Sequence, residues 1–177
     1  MGRHREGGRR WSALARVILA DGLRLGAEIG VKSGRNIAET LRRCPDFRWL
    51  AVDPWDPGMA YPGDTGPWTA AQIRQNEARF DAMAARYPDR VVKMQMYSAD
   101  AAGHIDDGTL DLVFIDALHT REAVAEDIRL WLPKVRPGGW IGGHDYGHPR
   151  FPGVAEAVDE AFAAVETHED YVWLTRV

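Results

Sequence analysis

The residues best placed to do chemistry begin at Glu28-Ile29-Gly30-Val31-Lys32-Ser33-Gly34, which closes a short apolar run, and at Asp53, which closes the next. The pattern Glu28-x-Gly30-x-x-x-Gly34 allows a tight turn against a ligand. It is not the dinucleotide G-x-G-x-x-G, which needs two glycines flanking one residue for close pyrophosphate approach. Nor is it a P-loop, since no Gly-Lys-Ser/Thr follows four variable residues. An acid stands where a phosphate binder needs amides, so the turn suits a nucleoside whose tail is cationic or zwitterionic. Asp53 lies 23 residues after Gly30. A carboxylate there can accept the ribose hydroxyls of a nucleoside, or it can start an Asp-Pro turn. Further candidates follow the later apolar runs: Tyr97-Ser98, Asp116 to His119, and Gly142 to Tyr146. An acid lies at or next to three of these five ends. Pure scaffold would not place them so, because a carboxylate at a strand mouth is desolvated without a partner.

The elements that position these residues are legible from hydrophobic period. Trp11, Leu14, Ala15, Ile18 and Leu19 have helical spacing, ended by Asp21-Gly22. Leu25 to Val31 reads as a buried strand, 34–43 as a helix stopped by Pro45, and Phe47 to Val52 as a second strand. Residues 54–68 form a long loop rich in proline, glycine and aromatics, and loops of that length are usually functional or mobile. A helix is predicted over 69–87 with Ile73, Ala78 or Phe80, and Met83 among its apolar positions, then a strand over 91–96. The strongly apolar 110–116 is the fourth strand. A helix over 120–135 starts at a Thr120 cap with Glu122 in its first turn, and Arg136-Pro137-Gly138-Gly139 ends it. Residues 140–143 make a strand, 153–164 a helix, and 171–177 alternate like a closing strand. Strands alternating with helices specify βαβ units and right-handed crossovers. The expected fold is a single doubly wound α/β domain over 11–177, Rossmann-like, with a mostly parallel seven-stranded sheet and helices on both faces. In such a fold ligands bind beyond the carboxyl ends of the strands.

Composition sets the outer bounds. With 177 residues, 45% hydrophobic and 27% charged, the chain has ordinary globular proportions. Its net charge of −4 offers no polyanion-binding surface. The basic segment 1–10, with Arg3, Arg5, Arg9 and Arg10, is expected to be a solvated tail rather than a nucleic-acid arm. The single cysteine, Cys44, excludes an internal disulfide framework and a cysteine-based zinc site. With no long apolar run and no secretory leader pattern, a soluble cytoplasmic protein is the expectation, with no membrane or nucleic-acid partner.

The motifs Glu28-Ile29-Gly30-Val31-x-x-Gly34, Val52-Asp53-Pro54-Trp55, Phe114-Ile115-Asp116-Ala117-x-His119 and Pro137-Gly138-Gly139-Trp140-Ile141-Gly142-Gly143-His144-Asp145-Tyr146 resemble class I S-adenosylmethionine-dependent methyltransferases. The resemblance is closer to the bacterial branch that includes metal-dependent O-methyltransferases acting on sugars and macrolide sugars, and it covers about residues 24–177. It implies S-adenosylmethionine as cofactor. Glu28, Gly30 and Gly34, with Ser33 and Asn36 in the same turn, would cradle its methionine part. Asp53 would bind the ribose with Trp55 beside the adenosine, Tyr97 and Ser98 would lie along the adenine, and Asp116 would border the cofactor. Asp116, His144 and Asp145 would form a metal site, and His119 would be the general base. Metal-dependent relatives usually carry an acid in place of His144. Imidazole is a poor ligand for magnesium but suits manganese, iron or zinc. Either the metal differs, His144 stands aside, or the enzyme works without metal.

Methyl transfer asks the protein mainly to align acceptor and donor, and an unactivated hydroxyl must also lose its proton. Imidazole suits that task near neutral pH, so His119, Asp116 and Asp145 are the catalytic candidates. The expected activity is O-methylation of a small acceptor such as a sugar or glycoside, assisted by a divalent metal such as Mg or Mn. The alternatives are a different acceptor atom, or a cofactor-binding module without catalysis. Trp55, Tyr61 and Trp68 could form an aromatic lid or simply pack their loop. Tyr146 and His148 could line the acceptor pocket or stand in an exposed turn. Trp131 and Trp173 are expected in the core and Cys44 inert. The short segment before the first strand leaves little cover over the acceptor pocket, and is compatible with a homodimer.

Overall fold

Strand residues that face opposite ways along β4 (Leu110–Ile115) show how the sheet is clothed: Leu112 and Phe114 pack into one apolar cluster, Val113 and Ile115 into another. All four are fully or almost fully buried, as expected of a central parallel strand. The computed structural model describes residues 9–58 and 68–177. Arg3, Arg5, His4 and Tyr61 lie outside the described residues. The remaining strands are β1 (Leu25–Ile29), β2 (Arg48–Val52), β3 (Val91–Met94), β5 (Val135–Gly143), β6 (Glu166–His168) and β7 (Val172–Arg176). They form one seven-stranded sheet in the order β3-β2-β1-β4-β5-β7-β6. β1 to β5 are parallel, and β7 runs antiparallel to both β5 and β6.

The helices are α1 (Arg10–Asp21), α2 (Arg35–Arg43), α3 (Ala70–Ala84), α4 (Ser98–Gly103), α5 (Arg121–Trp131) and α6 (Pro152–Ala161). Leu14, Ile18, Ile37, Leu41, Ile73 and Phe80 put α1 to α3 on the first face. Ala101, Val124, Ile128, Trp131, Val154 and Val158 put α4 to α6 on the second. The doubly wound expectation is met, and the sheet changes from one set of helices to the other between β1 and β4. No described helix is long and apolar enough to cross a membrane.

Three local readings are corrected. The helix expected to run to Val135 stops at Trp131, because Pro133 has no N–H to continue the ladder; a 3₁₀ turn at Leu132–Lys134 follows. The strand expected at 140–143 therefore starts at Val135, with a register jump between the pairs Leu110–Val135 and Leu112–Trp140. Pro137 and its two following glycines occupy that jump, where no regular ladder bond is needed. Leu19, assigned to the buried stripe of α1, is 60% exposed. Strand β6 is three residues long, too short to carry a readable period. Trp131 and Trp173 are buried, as expected, and Cys44 is buried too.

Candidate active site

The carboxyl ends of β1, β2 and β4 open into a cavity of about 1060 Å³, ample for a cofactor and a small acceptor. Its floor is made by the first turn. Gly30 has φ +88°, and a side chain there would collide with the backbone of Asp116 and stand 2.6 Å from the Ala117 Cα. The turns after β1 and β4 thus touch backbone to backbone, and only glycine permits it. Gly34 (φ +74°) caps α2, where a Cβ would press on Met83 and Phe80. Gly30→Ala combines a strained φ with a backbone clash, so it is expected to lower the melting temperature by more than 5 °C. Thermal unfolding with circular dichroism checks this; an unchanged midpoint would show that the two turns do not need their close approach.

Glu28 ends up one residue before that turn, 1% exposed, with Oε2 accepting no hydrogen bond. Asn36, buried in the first turn of α2, has neither amide atom paired. Burial, then the nearby Asp116 charge, push the Glu28 carboxyl well above its ordinary range against the opposing Asn36 amide and Arg10. Both side chains border the cavity. Buried polar atoms without a partner, on residues that line a cavity, call for an explanation beyond packing.

Asp53 also borders the cavity, but its carboxylate is largely engaged. Oδ2 accepts the backbone N–H of Val31 (3.0 Å) and Lys32 (2.8 Å), and Oδ1 that of Trp55 (2.8 Å). Of roughly four lone-pair directions on a carboxylate, one remains, on Oδ1. The structure gives Asp53 the Asp-Pro turn role and leaves one acceptor position on its carboxylate open. Burial raises its carboxyl pKa, with the three amides opposing. Trp55 is 3% exposed, donates its Nε1–H to the Lys32 carbonyl (2.7 Å) and packs on Phe80, so it anchors the loop while forming cavity wall. Trp68 lies on the same wall, with the Lys32 ammonium over its ring at 4.1 Å. Tyr97, 44% exposed, donates its hydroxyl to Asp56 at 2.5 Å. Ser33 lines the cavity, and so does Ser98.

At the ends of β4 and β5 the acids and imidazoles predicted to act together do meet. His119 Nε2 and His144 Nδ1 each lie 2.8 Å from Asp145 Oδ2, and His144 Nδ1 lies 3.6 Å from Asp116 Oδ1. Asp145 holds both imidazoles from a left-handed backbone (φ +62°), an uncommon conformation for a non-glycine residue. Burial works to raise the Asp145 carboxyl, but hydrogen bonds and charge from His119 and His144 outweigh it and hold it well below the usual carboxylate range. Burial raises that of Asp116, against Arg10 and His144. His119 stacks on Phe151 at 4.2 Å, which fixes its ring plane. Tyr146 donates to Asp159, and His148 stacks on Phe151 and meets Tyr171 edge-on; neither borders the cavity.

Three cavity residues escaped the sequence reading. Arg10 was assigned to a solvated tail, yet it begins α1 and pairs through its guanidinium with Asp116. Asp170 accepts the Arg10 backbone N–H at 3.2 Å. Asp127, 6% exposed, accepts the Ser98 hydroxyl. Only Asp127 left a signal: it interrupts the Val124, Ile128, Trp131 stripe of α5, where an acid is out of place. Burial lifts its carboxyl to about 6, with the Ser98 hydroxyl opposing. A folded pKa above the unfolded value near 4 means a stability loss that grows as pH rises from about 4 and is complete above about 6. Asp127→Asn is therefore expected to stabilise the protein by up to about 3 kcal/mol at pH 8 and hardly at all below pH 4. Urea unfolding at the two pH values checks this; equal effects at both would reject it.

Solved structures share this architecture. The O-methyltransferase NovP superposes with a TM-score of 0.67 at 19% identity, over 94% of this chain and 78% of its own. The O-methyltransferase TomG from Streptomyces achromogenes, involved in tomaymycin synthesis and solved with SAM, gives 0.63 at 17%, over 95% and 79%. An O-methyltransferase from Bacillus cereus in complex with SAH gives 0.63 at 17%, over 99% and 84%. No curated protein sequence matches this one. A family model described as a methyltransferase domain matches residues 27–146, from the middle of β1 to just past Asp145, and so spans all five strand ends. The chain belongs to that methyltransferase family.

Proposed function

We propose that the protein transfers the methyl group of S-adenosylmethionine to a hydroxyl of a small acceptor such as a sugar or glycoside. The observation that carries this is the placing of two unlike chemistries in one cavity: a buried Glu28 whose Oε2 has no hydrogen-bond partner, and the Asp116–His144–Asp145–His119 cluster. Glu28 fits the cofactor's ammonium, whose positive charge would offset the burial and the Asp116 charge that raise this carboxyl. Asn36 supplies an unpaired donor and acceptor beside it, and Asp53 one acceptor position for a ribose hydroxyl. The cofactor supplies a methyl group on a sulfonium: the carbon–sulfur bond breaks as the oxygen–carbon bond forms, and the electron pair leaves with sulfur. The chain's own task is alignment and proton removal. His119, steered by Asp145 and Phe151, would take the hydroxyl proton, and the Asp145 carboxylate would steady the imidazolium. Trp68 on the cavity wall offers an apolar face against which a sugar ring can lie.

A divalent ion fits beside this machinery, since ligand atoms of Asp116, His144 and Asp145 lie within 4.8 Å of one another. Those residues would hold it, and its chemistry there is to lower the acceptor hydroxyl's pKa and orient it. Two carboxylates with one imidazole favour manganese over magnesium. Arg10 competes with it, because its guanidinium already neutralises Asp116. Arg10→Ala is expected to tighten Mn(II) binding by roughly tenfold, read by electron paramagnetic resonance of free Mn(II). An unchanged or weaker affinity would mean that Arg10 does not guard the acid cluster.

The proposal is tested by calorimetry with S-adenosylmethionine and S-adenosylhomocysteine, followed by release of S-adenosylhomocysteine on a panel of hydroxylated acceptors. Micromolar binding and acceptor-dependent release are expected; absence of binding at submillimolar cofactor rejects the reading.

A further inference from the structure

Asp127 is the one buried acid on the cavity that the reaction above leaves without a task. It sits on α5, and the residues around it along the cavity are Ser98, Ala99, Ala123 and Glu126. Among the described residues its one hydrogen-bond donor is the Ser98 hydroxyl, on Oδ1, and no cationic side chain lies within ion-pair distance. The Ser98 oxygen in turn accepts the Trp131 indole N–H at 2.9 Å, from a ring that is fully buried. Trp131 thus fixes Ser98, Ser98 fixes one carboxylate oxygen, and the second oxygen is left as an acceptor at the cavity edge. A core position on an apolar helix face would be filled more cheaply by leucine, so an acid held this rigidly implies a donor that arrives with a ligand.

Position along the sheet says which part of the ligand. On the reading of the cavity as a cofactor site, on which this inference rests, the amino-acid tail lies at Glu28 over β1 and the ribose at Asp53 after β2. The base must then extend away from the Asp116–His119 cluster, toward Ser98 after β3 and the facing side of α5. We propose that Asp127 reads the edge of the cofactor's base, accepting the 6-amino group of adenine and rejecting a 6-oxo purine. An exocyclic amine donates where Oδ2 accepts. A carbonyl in its place sets two acceptors against each other and leaves the buried acid unpaired, which costs far more than the lost bond alone. Ala99 and Ala123 also line the cavity there, with side chains of one methyl group.

The experiment compares S-adenosylhomocysteine with S-inosylhomocysteine by calorimetry at pH 8, on the wild type, Asp127→Asn and Asp127→Ala. The wild type is expected to prefer the adenosyl form by about tenfold or more. Asp127→Asn, which can donate to a 6-oxo group, should cut that preference at least tenfold by binding the inosyl form better. Asp127→Ala should weaken the adenosyl form and leave little discrimination. The ratio of the two affinities is the readout, since a purely structural acid would change both together. Wild-type preference retained in both variants overturns the role of Asp127 while leaving the cofactor reading intact. Failure of the wild type to bind either nucleoside overturns both.

Discussion

Glu28→Gln should weaken S-adenosylhomocysteine binding by roughly 10²-fold or more while leaving the free protein as stable as before, or more so. The two halves of this expectation share one cause. In the free protein Glu28 is 1% exposed with an unpaired oxygen, beside the like charge of Asp116. A neutral amide of the same shape removes that burden. In the complex, the same carboxylate would face the cofactor's ammonium with little water between them. Truncating one partner of a buried, hydrogen-bonded charge pair costs about 2–5 kcal/mol, or about 30-fold to beyond 10³-fold in affinity. Calorimetry and thermal unfolding on the same preparation separate the two. A variant that binds normally would show that the ammonium lies elsewhere; one that binds weakly and also unfolds early would make Glu28 a structural residue.

His119→Ala and Asp145→Asn should each lower turnover by about 10²–10⁴-fold, the usual contribution of a positioned acid or base. The double variant should be hardly worse than either single one. Asp145 Oδ2 is 2.8 Å from both His119 Nε2 and His144 Nδ1, so the carboxylate and the two rings work as a unit, and removing one member disables the others. Affinity for S-adenosylhomocysteine should move by less than about threefold, because on this reading the cofactor's ammonium is met by Glu28 and not by His119 or Asp145. Turnover is read as S-adenosylhomocysteine release on the best acceptor of the panel. Multiplicative losses in the double variant would show that His119 and Asp145 act separately. Near-normal turnover in both single variants would place proton removal elsewhere in the cavity.

The strand ends are legible in the sequence where they depend on local pattern. The apolar run of β4 and the Gly30 turn are marked by neighbouring residues, and the parallel βαβ order then places Asp53, Asp116 and Asp145 at strand ends that share one edge of the sheet. Thr120 was legible as the cap of α5 for the same reason, and it accepts the Ala123 N–H as such a cap should. Reading failed where a residue's environment is made by distant chain. Arg10 looks like one more charge in a basic terminus, and only the docking of α1 beside α2 brings its guanidinium to Asp116, 106 positions away. Asp53 has the spacing of a ribose-binding acid, yet the turn after β1 reaches its carboxylate first.

What the sequence determined by itself is therefore the periodic part: which segments are strands and helices, their parallel order, and the ends at which acids, imidazoles and glycines accumulate. Those features follow from side-chain alternation and turn chemistry, which act over a few residues. Only the tertiary structure decided how those groups are partnered. It joined His119 to Asp145, closed Ser98 on Asp127, occupied most of Asp53 and left Glu28 and Asn36 open to the cavity. A hydrogen bond depends on separations of a few tenths of an ångström between atoms of remote segments, and no local pattern encodes that.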